Sequence, residues 1–345
     1  MIIHKEVSIK ANMRKHYTFV AGLMISFLCI YWLSNKINHG KIVDIVTSID
    51  MICLFWAVVL QLISFGVKGI RWGILLMPFK GCRTMLVTKI ALIGLMLNNI
   101  LPGKIGELGR AYLLGNRKDI RKSLVLSTII TERSVDVLVV LFMLIVVSLV
   151  TPLSHLAQRI IMYSSFAVFG FFSLLLLVKA KRAKLGFLLE AAFQRRFKRR
   201  GEAFIEIIKN LFLGFQWSTY KALALRLSFF SILYWGIICL STQFIVWGFH
   251  LPVPYYVSIV IVGITSFGMI IPSSPGYLGT YHFLVVNTLL FFNVDKNTAL
   301  SFAILAHSIW YSLEIFLGLT FMWQENLSFE VLKDLKVIEW RKKKV

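Results

Sequence analysis

The 345-residue chain is 58% hydrophobic and only 16% charged, against roughly a quarter in soluble domains, and it carries 28 phenylalanines and 9 tryptophans. That balance excludes a soluble globular domain and defines an integral membrane protein. The net charge of +22 does not point to nucleic acid: 31 of the 38 basic residues fall in five blocks separated by apolar stretches, the positive-inside pattern that orients membrane proteins.

The chain opens on a basic segment (Lys5, Lys10, Arg14, Lys15) followed by the apolar stretch 17–35, which reads as a retained signal anchor crossing outward. The stretch 51–67 returns. The basic blocks 68–89 and 117–122 then both belong inside, so 90–115 enters and leaves by one face. This region contains "NNILPGKIGELGRAYLLG", and Pro102–Gly103 lies near its turn. Broken backbone is tolerated at membrane depth only where protein or a water-filled cavity satisfies its polar groups. The segment therefore reads as a cytoplasmic re-entrant hairpin.

Next, 123–150 crosses out and 160–178 returns. The connector 179–221 holds "RRFKRR" and places Phe204, Ile208, Leu211 and Phe215 at helical spacing, as an interfacial amphipathic helix does. The stretch 222–249 crosses outward, and 298–323 must run inward to reach the basic tail "RKKK". Hence 255–294, centred on "IPSSPGYLGTYH", enters and leaves from outside.

The two hairpin centres, "PGKIGE" and "PGYLGT", share the pattern P-G-x-[I/L]-G-x and start at Pro102 and Pro275, 173 residues apart. Similar segments entering from opposite faces mark inverted-repeat transporters. The expected fold is thus an all-α polytopic membrane protein with about six full spans and two opposed re-entrant helical hairpins forming an inverted repeat. Its expected parts are an N-terminal membrane half, 1–178, with the first hairpin at 90–115, and the cytoplasmic connector 179–221. The C-terminal membrane half, 222–324, with the second hairpin at 255–294, and the tail 325–345 follow.

Chemistry-bearing residues gather at these hairpins. Gly103 and Gly106 in the first, and Gly276 and Gly279 in the second, allow close approach of a backbone or headgroup. A half-helix starting at Pro102 would aim N–H groups at a phosphate. Glu107 and Arg110 lie one turn apart, and "TERSVD" sets Glu132 and Asp136 at i and i+4 with Arg133 between. Ionisable groups inside a membrane are expensive and usually mark a pathway or a partner. Pairs such as Glu107–Arg133 or Arg110–Asp136 would satisfy their burial. Arg110 and Arg133 can grip phosphate bidentately. His307 and Glu314 share one face of the last span with Tyr311. Cys29, Cys53, Cys82 and Cys239 are scattered, so neither a disulfide framework nor a metal site is expected, and no cofactor or catalytic nucleophile is indicated.

The motifs "NNILPGKIGELGRAYLL", "ERSVD" and "PSSPGYLGT" resemble the flippase-like membrane domain of lysylphosphatidylglycerol synthases and its stand-alone relatives. Asn98, Asn99, Pro102, Gly106, Glu107 and Arg110 match the first motif. Glu132, Arg133 and Asp136 match the second, and Pro275, Gly276 and Gly279 the third. The resemblance implies a polytopic protein of the bacterial or archaeal cytoplasmic membrane, with both termini inside, that moves a lipid between leaflets. Its partner would be an anionic phospholipid or a lipid-linked glycan. Synthase members continue into a soluble catalytic domain, whereas here a short basic tail follows the last span, so synthase activity is not expected. Two alternatives stay open: a membrane enzyme acting on a polyprenyl (pyro)phosphate or lipid headgroup, and an accessory subunit of a lipid-modifying enzyme.

Overall fold

The structure, a computed structural model, describes residues 23–34, 39–101, 104–151, 220–269 and 273–327, together with Gly170. The expected amphipathic helix around 204–215 and the Pro102–Gly103 pair lie outside these residues. Every regular element among the described residues is helical. In chain order they are α1 (Leu23–Ser34), α2 (His39–Thr47), α3 (Met51–Leu76), α4 (Thr84–Ile100), α5 (Ile105–Lys118) and α6 (Lys122–Val150). Then come α7 (Lys221–Gly248), α8 (Val257–Gly268), a 3-10 turn (Pro275–Tyr277), α9 (Thr280–Phe291) and α10 (Lys296–Gln324).

Helices α3, α7 and α10, of 26, 28 and 29 residues, are long and apolar enough to cross a membrane. At about 1.5 Å per residue each exceeds the hydrocarbon thickness of about 30 Å. Their outer faces leave Phe55, Leu225, Phe229, Phe316 and Trp323 exposed, as a lipid solvent permits. Helix α6 is equally long at 29 residues, but its first half carries Glu132, Arg133 and Asp136.

Both expected hairpin regions are helix–break–helix units. In the first, Gly106 packs so closely on α4 that an added Cβ would lie 1.9 Å from the Gly94 carbonyl oxygen. The Gly106 N–H donates to Asn98 Oδ1 at 2.8 Å, which closes the turn. In the second, Gly268 at the end of α8 meets Leu284 of α9, where a Cβ would approach the leucine side chain to 2.1 Å. The third residue of each P-G-x motif adopts the left-handed region: Lys104 has φ 56° and Tyr277 φ 57°. A non-glycine residue there is uncommon, and it recurs at the same position of both motifs. The helix after the first motif begins at Ile105 rather than at Pro102.

The correspondence extends beyond the motifs. Helices α3 to α6 start at 51, 84, 105 and 122, and α7 to α10 at 221, 257, 280 and 296, which are 170, 173, 175 and 174 residues later. Each set reads long helix, short helix, break, short helix, long helix.

The chain forms two compact units. One contains 1–66, 89–109 and 236–345, and the other 67–88 and 110–235. The core of the first is apolar, built around Val257, Ile261, Val285, Val286, Leu289 and Phe302. Helix α10 starts on a side-chain cap: Asp295 accepts from the backbone N–H groups of Asn297 at 2.9 Å and Thr298 at 3.3 Å, and from the Thr298 hydroxyl.

Gly106→Ala is expected to destabilise the protein by about 1–3 kcal/mol through overpacking, whereas Gly236→Ala, with open space around it, should be neutral. Thermal unfolding in detergent reads the difference. Asp295→Ala should cost about 1 kcal/mol as a lost cap. Partial burial pushes the Asp295 carboxyl up, but the hydrogen bonds from Thr298 and Asn297 together outweigh it and hold the carboxyl below its ordinary value. The cap's contribution is therefore complete above the unfolded-state pKa and lost as pH falls through the folded one. The melting-temperature gap between wild type and Asp295→Ala should shrink on acidification.

Candidate functional site

In α3 the sequence "VKGIRW" puts Lys68 and Arg71 one turn apart on one face, while α6 sets Glu132 and Asp136 one turn apart. The two spacings mesh. Lys68 Nζ donates to Glu132 Oε1 at 2.9 Å, and Arg71 Nη2 donates to Asp136 Oδ1 at 2.5 Å. Arg110 of α5 donates from Nη2 to the other Glu132 oxygen, Oε2, at 2.6 Å. From α7, Trp235 Nε1 donates to Asp136 Oδ1 at 3.0 Å, and Ser231 Oγ accepts from Arg71 Nε at 3.1 Å. Lys68, Arg71, Arg110 and Glu132 are at most 1% exposed and Asp136 5%. All of these residues belong to the second unit.

Aromatic faces line the cations. Lys68 and Arg71 lie over the Tyr234 ring, at 5.3 and 4.7 Å, and the Arg110 guanidinium lies 4.0 Å from the Trp72 ring centroid. The Trp72 indole is itself anchored, donating from Nε1 to Thr128 Oγ1 at 3.0 Å. Each guanidinium is thus held by a carboxylate at one nitrogen and by an aromatic ring at its face, an arrangement worth more once desolvated.

The cations are nonetheless under-satisfied. Among the described residues Arg71 Nη1 and Arg110 Nε and Nη1 are buried without a hydrogen-bond partner, and so is one carboxylate oxygen, Asp136 Oδ2. Three buried cations face two buried carboxylates. Arg133 stands at the rim, its side chain 39% exposed and its Nη1 3.7 Å from Asp136 Oδ2. Buried guanidinium N–H groups beside an excess of positive charge match the donor geometry that oxyanions accept. The carboxylates serve as counter-ions that hold the guanidiniums in place.

Arg110, Glu132, Arg133 and Asp136, expected from the sequence, therefore lie together. Their pairing differs from the simplest expectation, since Arg110 takes Glu132 and Asp136 takes Arg71. Lys68, Arg71, Trp72, Ser231, Tyr234 and Trp235 complete the cluster and were missed, because Lys68 and Arg71 count as part of a cytoplasmic basic block when charge is read by linear position. The i, i+3 spacing of two cations in an apolar helix, matching two acids at i, i+4, was the available signal.

The first unit holds a different arrangement along α10. His307 Nε2 lies 2.9 Å from the Gly276 carbonyl oxygen, and the imidazole is ringed by Tyr281, His282, Trp310 and Tyr311, with centroids 4.7–5.3 Å away. Gly276 (φ 67°) and Gly279 (φ 84°) adopt the left-handed region at that turn, beside Pro275. Two turns on, Glu314 Oε2 accepts from Asn99 Nδ2 at 2.7 Å, and Met96 packs where a Cβ on Gly318 would sit. One stretch of α10, 307–318, thus touches the second hairpin at one end and the first at the other. Asn98 and Gly106 close the first hairpin onto itself, and Glu107 is partly exposed on α5. No group of three or more metal-ligating side chains occurs among the described residues.

Helices of membrane-crossing length define a multi-pass helical membrane protein, and one of its units buries a cluster of charges. The chain belongs to the family described as "Lysylphosphatidylglycerol synthase TM region", whose model matches residues 19–318. It is similar to the UPF0104 membrane protein MJ1595 of Methanocaldococcus jannaschii, 30% identical over 128 residues, which cover 35% of this chain and 37% of that protein. It is also similar to the glycosyltransferase AglD of Haloferax volcanii, 23% identical over 137 residues, covering 39% of this chain and 22% of that protein. The match thus spans well under half the length of either relative. No solved structure matches the chain significantly.

Asp136→Ala, which strands Arg71, should cost about 3–5 kcal/mol, the usual penalty for breaking a buried pair. Arg133→Ala at the rim should cost at most about 1 kcal/mol. Thermal unfolding of the two purified variants reads the contrast.

Proposed function

We propose that the protein translocates an anionic lipid between leaflets, with the buried cluster holding the headgroup phosphate as it crosses. The observation that carries this reading is the set of buried guanidinium N–H groups on Arg71 and Arg110 that have no acceptor among the described residues. Inside a membrane such donors replace the water that a phosphate loses on leaving the interface. Arg133 at the rim receives the headgroup first, and Glu132 and Asp136 keep the guanidiniums oriented. Asn98, Asn99, Pro102, Gly103, Gly106 and Glu107 of the first hairpin, with Pro275, Gly276, Gly279, His307 and Glu314, shape the path for the lipid.

The proposed setting is the cytoplasmic membrane of a bacterium or archaeon, with both termini inside, about six full spans and the two hairpins entering from opposite faces. The helix starts recurring about 173 residues apart, and the contact of both hairpins with one stretch of α10, support the opposed arrangement. The cargo is an anionic phospholipid or a polyprenyl-linked lipid. A second reading, a membrane enzyme or an enzyme's partner acting on a polyprenyl-linked headgroup, is favoured by one fact: a similar protein is named a glycosyltransferase.

Purified protein reconstituted into liposomes with a fluorescent anionic phospholipid should exchange that lipid between leaflets faster than empty liposomes do. Arg110→Ala should slow exchange about ten-fold, the equivalent of one charge-assisted hydrogen bond. Rates equal to those of empty liposomes under several ion gradients would refute translocation. Headgroup release from a polyprenyl diphosphate in the same liposomes would favour the enzyme.

A further inference from the structure

We infer that the buried site formed by α3, α5, α6 and α7 is selective for a singly charged phosphodiester over phosphomonoesters and diphosphates. The inference rests on the lipid-phosphate reading above and narrows it to a headgroup class. Lys68, Arg71 and Arg110 contribute three buried positive charges, and Glu132 and Asp136 two negative ones. Uncompensated charge in a dry interior is expensive, and one added negative charge brings this set to neutrality. A second negative charge would find both carboxylates within the same network and no further buried cation among the described residues to balance it. Arg133 does not fill that role, since its side chain is 39% exposed and its charge is screened.

The donors fit the same occupant. Arg71 offers Nη1, and Arg110 offers Nε and Nη1, which together carry five N–H bonds without acceptors. The two unesterified oxygens of a phosphodiester are acceptors only. Glu132 is engaged by Lys68 and Arg110, and Asp136 Oδ1 by Arg71 and Trp235. Among the described residues Asp136 Oδ2 has no hydrogen-bond partner and could accept the last proton of a phosphomonoester, so the discrimination rests on the second negative charge and not on that proton. The aromatic lining of Trp72 and Tyr234 has no charge to offer a second anionic group. The shared chemistry covers diacyl phosphodiester lipids and polyprenyl phosphosugars alike, and sets both apart from polyprenyl diphosphates.

The test compares dioleoylphosphatidylmethanol, a phosphodiester, with dioleoylphosphatidic acid, a phosphomonoester of identical tail. Both are titrated into the purified full-length protein in neutral detergent, at about two pH units above the second phosphate ionisation near 6. Apparent affinities follow from the concentration dependence of thermal stabilisation. Wild type should bind the phosphodiester about ten-fold more tightly. Glu132→Gln and Asp136→Asn each raise the buried charge by one, and each should close or reverse the preference. Equal or tighter binding of phosphatidic acid by wild type overturns the inference even if neither variant folds, and so does an unchanged order in folded variants. Dimethyl phosphate supplies the headgroup without a tail: stabilisation by it alone assigns the site to soluble phosphodiesters, and stabilisation only by the tailed compound assigns it to lipid. The binding order is independent of leaflet exchange. Selective binding without exchange removes translocation and keeps the site, while exchange without selectivity does the reverse.

Discussion

The structure depends on meshing two charged rows inside a low-dielectric environment. Lys68 and Arg71 on α3 repeat every three residues, Glu132 and Asp136 on α6 every four, and each acid meets one base of the other helix. Neither helix could bury its own row alone, because an isolated charge at membrane depth is worth several kcal/mol against insertion. Arg110 then joins from α5 as a third cation, and this addition leaves the buried network with one positive charge in excess. A four-charge network of two bases and two acids would be self-sufficient and chemically inert.

The second half of the chain repeats the helix order without, among the described residues, repeating the buried ion pairs. Helices α7 to α10 keep the order and spacing of α3 to α6, with a left-handed residue at both Lys104 and Tyr277. In α10, however, an imidazole in an aromatic ring set and a Glu314–Asn99 hydrogen bond hold the polar positions. Backbone shape is set by the small residues at the breaks, which both halves retain. Side-chain chemistry is free to diverge on that frame, so one half carries the buried ion pairs and the other the Glu314–Asn99 and His307–Gly276 contacts.

Much of this was legible in the sequence. The breaks at "PGKIGE" and "PGYLGT" were, because proline and glycine interrupt helices wherever they fall, and the structure places helix ends on either side of both. Glu132 and Asp136 were legible as a pair, since i, i+4 spacing survives any packing. Lys68 and Arg71 were hidden for a physical reason: charge counting along the chain assigns a cation by its neighbours in sequence, while burial depends on what lies across the helix interface. The choice of Glu132 over Asp136 by Arg110 was equally beyond reach, because Arg71 had already claimed Asp136 from a helix some 40 residues earlier in the chain. Membrane crossing by α3, α7 and α10 followed from length and composition alone.

Helix α10 connects two events that would otherwise be separate. Gly276 grips it through His307, and Asn99 grips it through Glu314, seven residues away, which is about 10 Å along the axis and close to two full turns. Both grips therefore fall on the same stripe of one rigid rod. A twist of that rod by a single residue, about 100°, would carry both side chains off their partners together and release the two hairpins in one stroke. A sideways shift of either hairpin, by contrast, strains only its own clasp. The helix is therefore a shared shaft, so a displacement of it reaches both hairpins at once.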